Sequence, residues 1–88
     1  MVTVFIPGPM RSFSGGRDRV EVEGHNVRQV IDRLDEACPG LKAQLIENGD
    51  IRPGLAIAVN DQITTSGLIE QVPENGTVLI LTAMGGGE

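Results

Sequence analysis

Three glycines and a glutamate, Gly85-Gly86-Gly87-Glu88, stand last in the sequence. They follow Val78-Leu79-Ile80-Leu81, the strongest strand signal in the chain, with only Thr82, Ala83 and Met84 between. Glycine has no side chain to pack and loses the most conformational freedom on ordering, so such a run adds nothing to a core. A terminus of this kind is expected to be mobile unless something binds it. The chemistry open to it belongs to the main chain: a carbonyl and a carboxylate that another protein can grip without meeting a Cβ. Glu88 complicates that reading, because it moves the carboxylate one residue on and adds a second anion.

The other reactive side chains are scattered. His25 is the only histidine, precedes a helical pattern and has no catalytic neighbour in sequence; it reads as a surface or capping residue. Cys38 is the only cysteine, which excludes an internal disulfide and leaves no ligand set for the usual Cys/His metal sites. Its place at the end of an apolar stripe makes it a small buried hydrophobe. Asp32, Asp35 and Glu36 read as the wet side of a helix. Gly15-Gly16 is no phosphate loop, because no Lys-Ser/Thr follows and no helix begins there. No enzyme active site emerges, no catalytic residue and no metal ligand.

Charge narrows the partners. The formal net charge is −5, which argues against nucleic acid, whose phosphates call for clustered Lys and Arg. Arg11, Arg17 and Arg19 lie close together, but Asp18, Glu21 and Glu23 dilute them into a solvated surface. An acidic chain suits a basic partner surface. No secretory signal is evident and no apolar run approaches the roughly 20 residues that span a bilayer, so neither nucleic acid nor membrane is expected as a partner and a reducing cytoplasm is the expected setting.

The elements that would position the tail follow from periodicity. Val2, Val4 and Ile6 alternate with Thr3 and Phe5 and predict a strand, closed by Pro7-Gly8-Pro9. Residues 7–17 read as a loop, and residues 18–23 alternate again, predicting an antiparallel hairpin. Val27, Val30, Ile31, Leu34 and Cys38 then fall at helical spacing, with Asn26 as N-cap and Gln29 placed for a capping box. Pro39-Gly40 stops that helix, and a shorter one is predicted over 41–47. Asn48-Gly49-Asp50 and Pro53-Gly54 read as turns. Leu55, Ile57 and Val59 alternate with Ala56 and Ala58 in a third strand, residues 62–65 make a short edge strand, and Pro73-Glu74-Asn75-Gly76 launches the last strand over 77–81. The order predicts an α+β fold: a mixed sheet of about four to five strands with one main and one short helix across one face. Residues 1–82 make the domain and residues 83–88 a Gly-rich tail.

This order, together with Val2-Thr3-Val4, the Val27–Leu34 helix, Val59-Asn60-Asp61, Val72-Pro73-Glu74-Asn75-Gly76-Thr77-Val78 and the terminal glycines, resembles the ubiquitin-like β-grasp proteins, and among them the MoaD/ThiS family of sulfur carriers. The resemblance covers essentially the whole chain and makes Gly87 the reactive glycine, with Gly86 beside it and Glu88 as an extra residue. It implies a carrier rather than an enzyme. A partner adenylates the glycine carboxylate with Mg-ATP, although the carrier itself binds no cofactor. A sulfur donor then displaces AMP to leave a thiocarboxylate, and a downstream synthase takes the sulfur for molybdopterin, cysteine or thiamine synthesis. It also implies that a JAMM-type metallopeptidase cuts between Gly87 and Glu88. Two other readings stay open: a ubiquitin-like protein modifier, and a β-grasp interaction domain with an inert tail.

Docking needs a surface as well as a tail. Alternation points Val2, Val4, Ile6, Leu55, Ile57 and Val59 at the helix, and Phe5, Ala56 and Ala58 away from it. The last strand is apolar on both sides, so alternation does not set its parity. The resemblance implies Val78 and Ile80 inward with Leu79 and Leu81 outward. Phe5, Leu79 and Leu81 would then join Met84 and Gly85 as the partner-binding surface.

Overall fold

The computed structural model describes residues 1–82. Its main sheet has five strands in the order β2-β1-β7-β5-β6: β1 Val2–Phe5, β2 Arg19–Val22, β5 Leu55–Val59, β6 Gln62–Ile63 and β7 Thr77–Thr82. β1 is antiparallel to β2 and parallel to β7, and β7 is antiparallel to β5. The sheet is therefore mixed, as the crossover between residues 22 and 55 requires. Helices α1 (Val27–Ala37) and α2 (Leu41–Leu45) occupy that crossover.

The inner face is aliphatic. Val2, Val4, Val20, Val22, Ile57, Val59, Val78 and Ile80 from the sheet form one buried cluster with Val27, Val30, Ile31, Leu34 and Cys38 of the α1 stripe and Leu41 and Leu45 of α2. Leu55 is half-buried and packs against that cluster. The predicted inward set and the parity of β7 both hold. Register explains why: Val78 stands opposite Val4 on one side and Val59 on the other, and all three belong to the cluster.

Helix α1 starts at a capping arrangement. The Asn26 Oδ1 accepts from the Gln29 N–H at 2.8 Å, and the Gln29 side chain accepts in turn from the His25 N–H at 2.8 Å. The loop partner of this start is the 70–72 segment, where the Val27 N–H donates to the Glu70 carbonyl and the Val72 N–H to the His25 carbonyl, each at 2.9 Å. His25 is thus exposed and joined to the fold through its backbone, in keeping with a capping position.

Three local readings change. The predicted helix over 41–47 ends at Leu45, and Ile46–Glu47 (β3) pairs with Asp50–Ile51 (β4) as a small separate hairpin. The two residues between them, Asn48 and Gly49, have φ of 57° and 80°. Positive φ at both central positions is the geometry of the tight hairpin turn that Asn-Gly favours, and it overrides the helical spacing of Leu41 and Leu45. The predicted loop over 7–17 contains a 3-10 helix, Gly8–Ser14, and another spans Gly67–Ile69. The acidic wet face of α1 also has structural work: Asp35 Oδ1 accepts from the Gly40 and Lys42 N–H groups at 3.1 Å each and so caps α2, while Asp32 pairs with Lys42 at 2.6 Å.

The start of β7 is held by close backbone contacts. Thr3 N–H donates to the Gly76 carbonyl, Asn60 N–H to the Thr77 carbonyl, and Thr77 N–H to the Asn60 side chain. A Cβ on Gly76 would lie 2.9 Å from the Pro73 carbonyl and 3.1 Å from Asn60 Oδ1. Gly76→Ala is therefore expected to lower unfolding free energy by about 1–3 kcal/mol, the usual cost of forcing an extra carbon into packed surroundings. Urea denaturation of the variant beside wild type checks this; an unchanged midpoint would mean the turn yields freely.

Candidate functional site

The candidate site is where β7 leaves the sheet. β7 is the middle strand, and its last described residue, Thr82, stands opposite Leu55 of β5. On the β1 side the pairing runs from Thr3 opposite Thr77 to Phe5 opposite Leu79. The backbone leading to the tail is thus held from both flanks up to Leu79, and by β5 alone from Ile80 to Thr82. Met84, Gly85, Gly86, Gly87 and Glu88, expected as reactive, processing or docking residues, lie outside the described residues.

The outer face beside this exit carries a row set by register. Arg19, Phe5, Leu79, Ala58 and Ile63 stand next to one another across all five strands. Leu81 pairs with Ala56 one step nearer the tail. Phe5 and Leu79 are half-buried, Leu81 is 36% exposed and Ile63 is 59% exposed. The structure thus brings Phe5, Leu79 and Leu81 together on one face.

Ala58, expected to face out, stands outside the core cluster yet is buried, because its small side chain lies between its register neighbours Leu79 and Ile63. Ile63 is an addition to the face that sequence reasoning missed. β6 is two residues long, too short for alternation to set a parity; the signal available was its two-residue spacing across Asn60-Asp61 from Val59.

The remaining reactive side chains have ordinary surroundings. Cys38 is buried at the C-cap of α1, with Arg17 Nη2 at 3.8 Å from its Sγ. Gly15 and Gly16 take φ of 70° and 87° and close the first 3-10 helix. No helix among the described residues is long and apolar enough to cross a membrane.

Comparison with known proteins fits this geometry. The model of the ThiS family matches residues 4–87. The chain belongs to the ThiS family. Its relatives include the sulfur carrier protein CysO of Mycobacterium tuberculosis, 31% identical over 91 residues that cover 98% of each protein. A chain of the crystal structure of the Amycolatopsis orientalis BexX/CysO complex superposes with a TM-score of 0.92 at 33% identity, covering 94% of this chain and 96% of that one. The small archaeal modifier protein 1 of Methanosarcina acetivorans superposes at 0.79 with 22% identity, over 92% of this chain and 90% of that one, which shows a common fold. This ThiS-family protein therefore has the ubiquitin-like β-grasp fold. It is a sulfur carrier protein of the CysO/ThiS type, a small carrier and not a catalyst.

A docking face should be dispensable for folding. Leu81→Ala is expected to lower stability by no more than about 1 kcal/mol, whereas Leu34→Ala, which empties a fully buried position, should lower it by about 2–5 kcal/mol. Thermal unfolding of the two variants checks this; equal losses would mean that the outer face is part of the core.

Proposed function

We propose that Gly87 is the residue on which this carrier holds its sulfur. A partner of the ubiquitin-activating-enzyme type would use Mg-ATP to convert the Gly87 carboxylate into an acyl adenylate, with release of pyrophosphate. A sulfur donor would then displace AMP and leave a thiocarboxylate for a downstream synthase. The observation that carries this reading is the family match running through residue 87, on a strand whose end is fixed beside an apolar face. The CysO relatives favour cysteine synthesis over molybdopterin or thiamine synthesis as the destination.

The chain's own residues would contribute reach and access. Nucleophilic attack needs the reacting atoms about 3–3.5 Å apart in a set orientation, and a domain with principal extents of 32 × 27 × 24 Å cannot enter such a site. Residues 83–87 span roughly 17 Å when extended. Gly85, Gly86 and Gly87 put no Cβ near the reacting carbon, so a partner can close around backbone alone. Phe5, Leu79 and Leu81 would supply the apolar docking area at the base of that reach, with Met84 and Gly85 continuing it. That a similar CysO is solved in complex with BexX supports docking on a protein partner.

Whatever follows Gly87, Glu88 included, would have to be cut away first, because adenylation acts on a terminal carboxylate. A JAMM-type zinc peptidase is the proposed agent, with the Gly87–Glu88 bond as its target.

The chain ended at Gly87 is expected to support pyrophosphate release from ATP by its adenylating partner, and Gly86→Ala in the same form to reduce it at least about ten-fold through the added Cβ, with the thermal midpoint unchanged. Full activity of Gly86→Ala would contradict the need for bare backbone. A stable conjugate to protein lysines would instead favour the modifier reading.

A further inference from the structure

The arginines set aside as a diluted surface gather where β7 leaves the sheet. Among the described residues Arg33, Lys42 and Arg52 have carboxylate partners, at 3.6, 2.6 and 3.7 Å. Arg11, Arg17, Arg19 and Arg28 have none among these residues and are exposed; Arg28 lies on the first turn of α1, away from the other three in sequence. Arg19 stands opposite Phe5, the register neighbour of Leu79, so it closes the outer-face row on the β2 side. The Ile6 N–H donates to the Asp18 carbonyl at 2.9 Å, which brings the segment carrying Arg17 beside the end of β1. Arg11 Nε donates to the Ile6 carbonyl at 3.1 Å and Arg17 Nε to the Ser14 carbonyl at 2.9 Å. The Arg11 guanidinium is thereby held at the end of β1, and that of Arg17 lies beside Cys38 at the C-cap of α1, on the helix side of the sheet.

The acids that interleave them in sequence are separated by the fold. Glu21 pairs with Thr3, two residues further from the exit, and two strand residues are about 7 Å. Glu23 lies beyond it, near Glu74 of the turn that enters β7, in a surface hollow also lined by Met1 and His25. Asp61 sits in the β5–β6 turn at that far end. Of the acids named here, only Asp18 shares the arginine end. Arg11 and Arg19 thus stand at the end of the sheet from which β7 departs, while Glu21, Glu23, Asp61 and Glu74 lie towards the other end.

We infer that Arg11 and Arg19, with Arg17 on the helix side, form a cationic collar at the root of the tail, and that it docks on a protein whose tail-accepting channel has an acidic rim. This rests on the sulfur-carrier reading. The occupant is a protein and not a nucleic acid, because Arg19 closes the apolar Phe5–Leu79 row and the chain as a whole repels phosphate backbones. The collar turns the tail towards the channel during encounter, a contribution that appears in the association rate and fades with salt.

The test uses the chain ended at Gly87, Mg-ATP and the adenylating enzyme of the native host, read by ATP–pyrophosphate exchange. At about 0.01 M salt, where screening reaches only beyond about 30 Å, Arg19→Glu should lower kcat/KM by about ten-fold or more. Arg19→Gln should fall between that and wild type. At about 1 M salt, where the screening length is about 3 Å, the three should converge. At about 0.15 M salt, where the screening length is about 8 Å, Glu74→Lys at the far end should stay within about two-fold of wild type, and all variants should melt as wild type does. Equal rates for Arg19→Glu and wild type, a loss that persists at high salt, or an equal loss in Glu74→Lys would each overturn the collar alone. No exchange with wild type at all would overturn the sulfur-carrier reading and the collar with it.

Discussion

The placement of β7 between β1 and β5 is the constraint on which the rest of the structure depends. A strand at the edge of a sheet is held on one side; β7 is held on both over its first half, in parallel to β1 and antiparallel to β5, and by β5 through to Thr82. Its central position buries Val78 and Ile80 against α1 and leaves Leu79 and Leu81 on the other face. The same hydrogen-bond ladder that stabilises the fold therefore fixes the chain through Thr82 and decides which side chains stand beside that exit. A carrier whose chemistry is done by a partner has little else to specify: a fixed point of departure and a surface to be recognised by.

The division between the two faces follows from side-chain size. The helix side is filled by branched aliphatic residues from six elements, with two phenylalanines in the whole sequence. The outer side sets one small residue among large ones, Phe5, Leu79, Ala58 and Ile63 across neighbouring strands. Ala58 lowers the row between Leu79 and Ile63 and leaves Ile63 as its most exposed apolar member, with Leu81 exposed one register step nearer the exit. The face is apolar at its centre and charged at its β2 edge, where Arg19 ends the row. That is the general composition of a surface that binds another protein, an apolar centre within a polar rim.

Most of the architecture was legible in the sequence because period two and period 3.6 segregate cleanly here. β1, β2 and β5 alternate, and α1 keeps its apolar residues on one stripe between Asn26 and Pro39. What was not legible had specific causes. The β3–β4 hairpin was hidden by leucines at helical spacing running into an Asn-Gly turn, and two-residue strands carry no period to read. The parity of β7 was hidden because all four residues from Val78 to Leu81 are apolar; pairing with Val4 and Val59 settles it, and pairing is a long-range property. The arginine collar was invisible for the same reason: its members are interrupted by acids in sequence, and only the register sends Glu21 and Glu23 towards the opposite end.

The central claim is that the backbone of Gly87, exposed by cleavage, carries the sulfur. Intact mass spectrometry of the protein purified from its native host tests it most directly. The account predicts a population ending at Gly87 whose mass is raised by the exchange of one oxygen for one sulfur. Protein that always retains Glu88 and never gains that mass would contradict it.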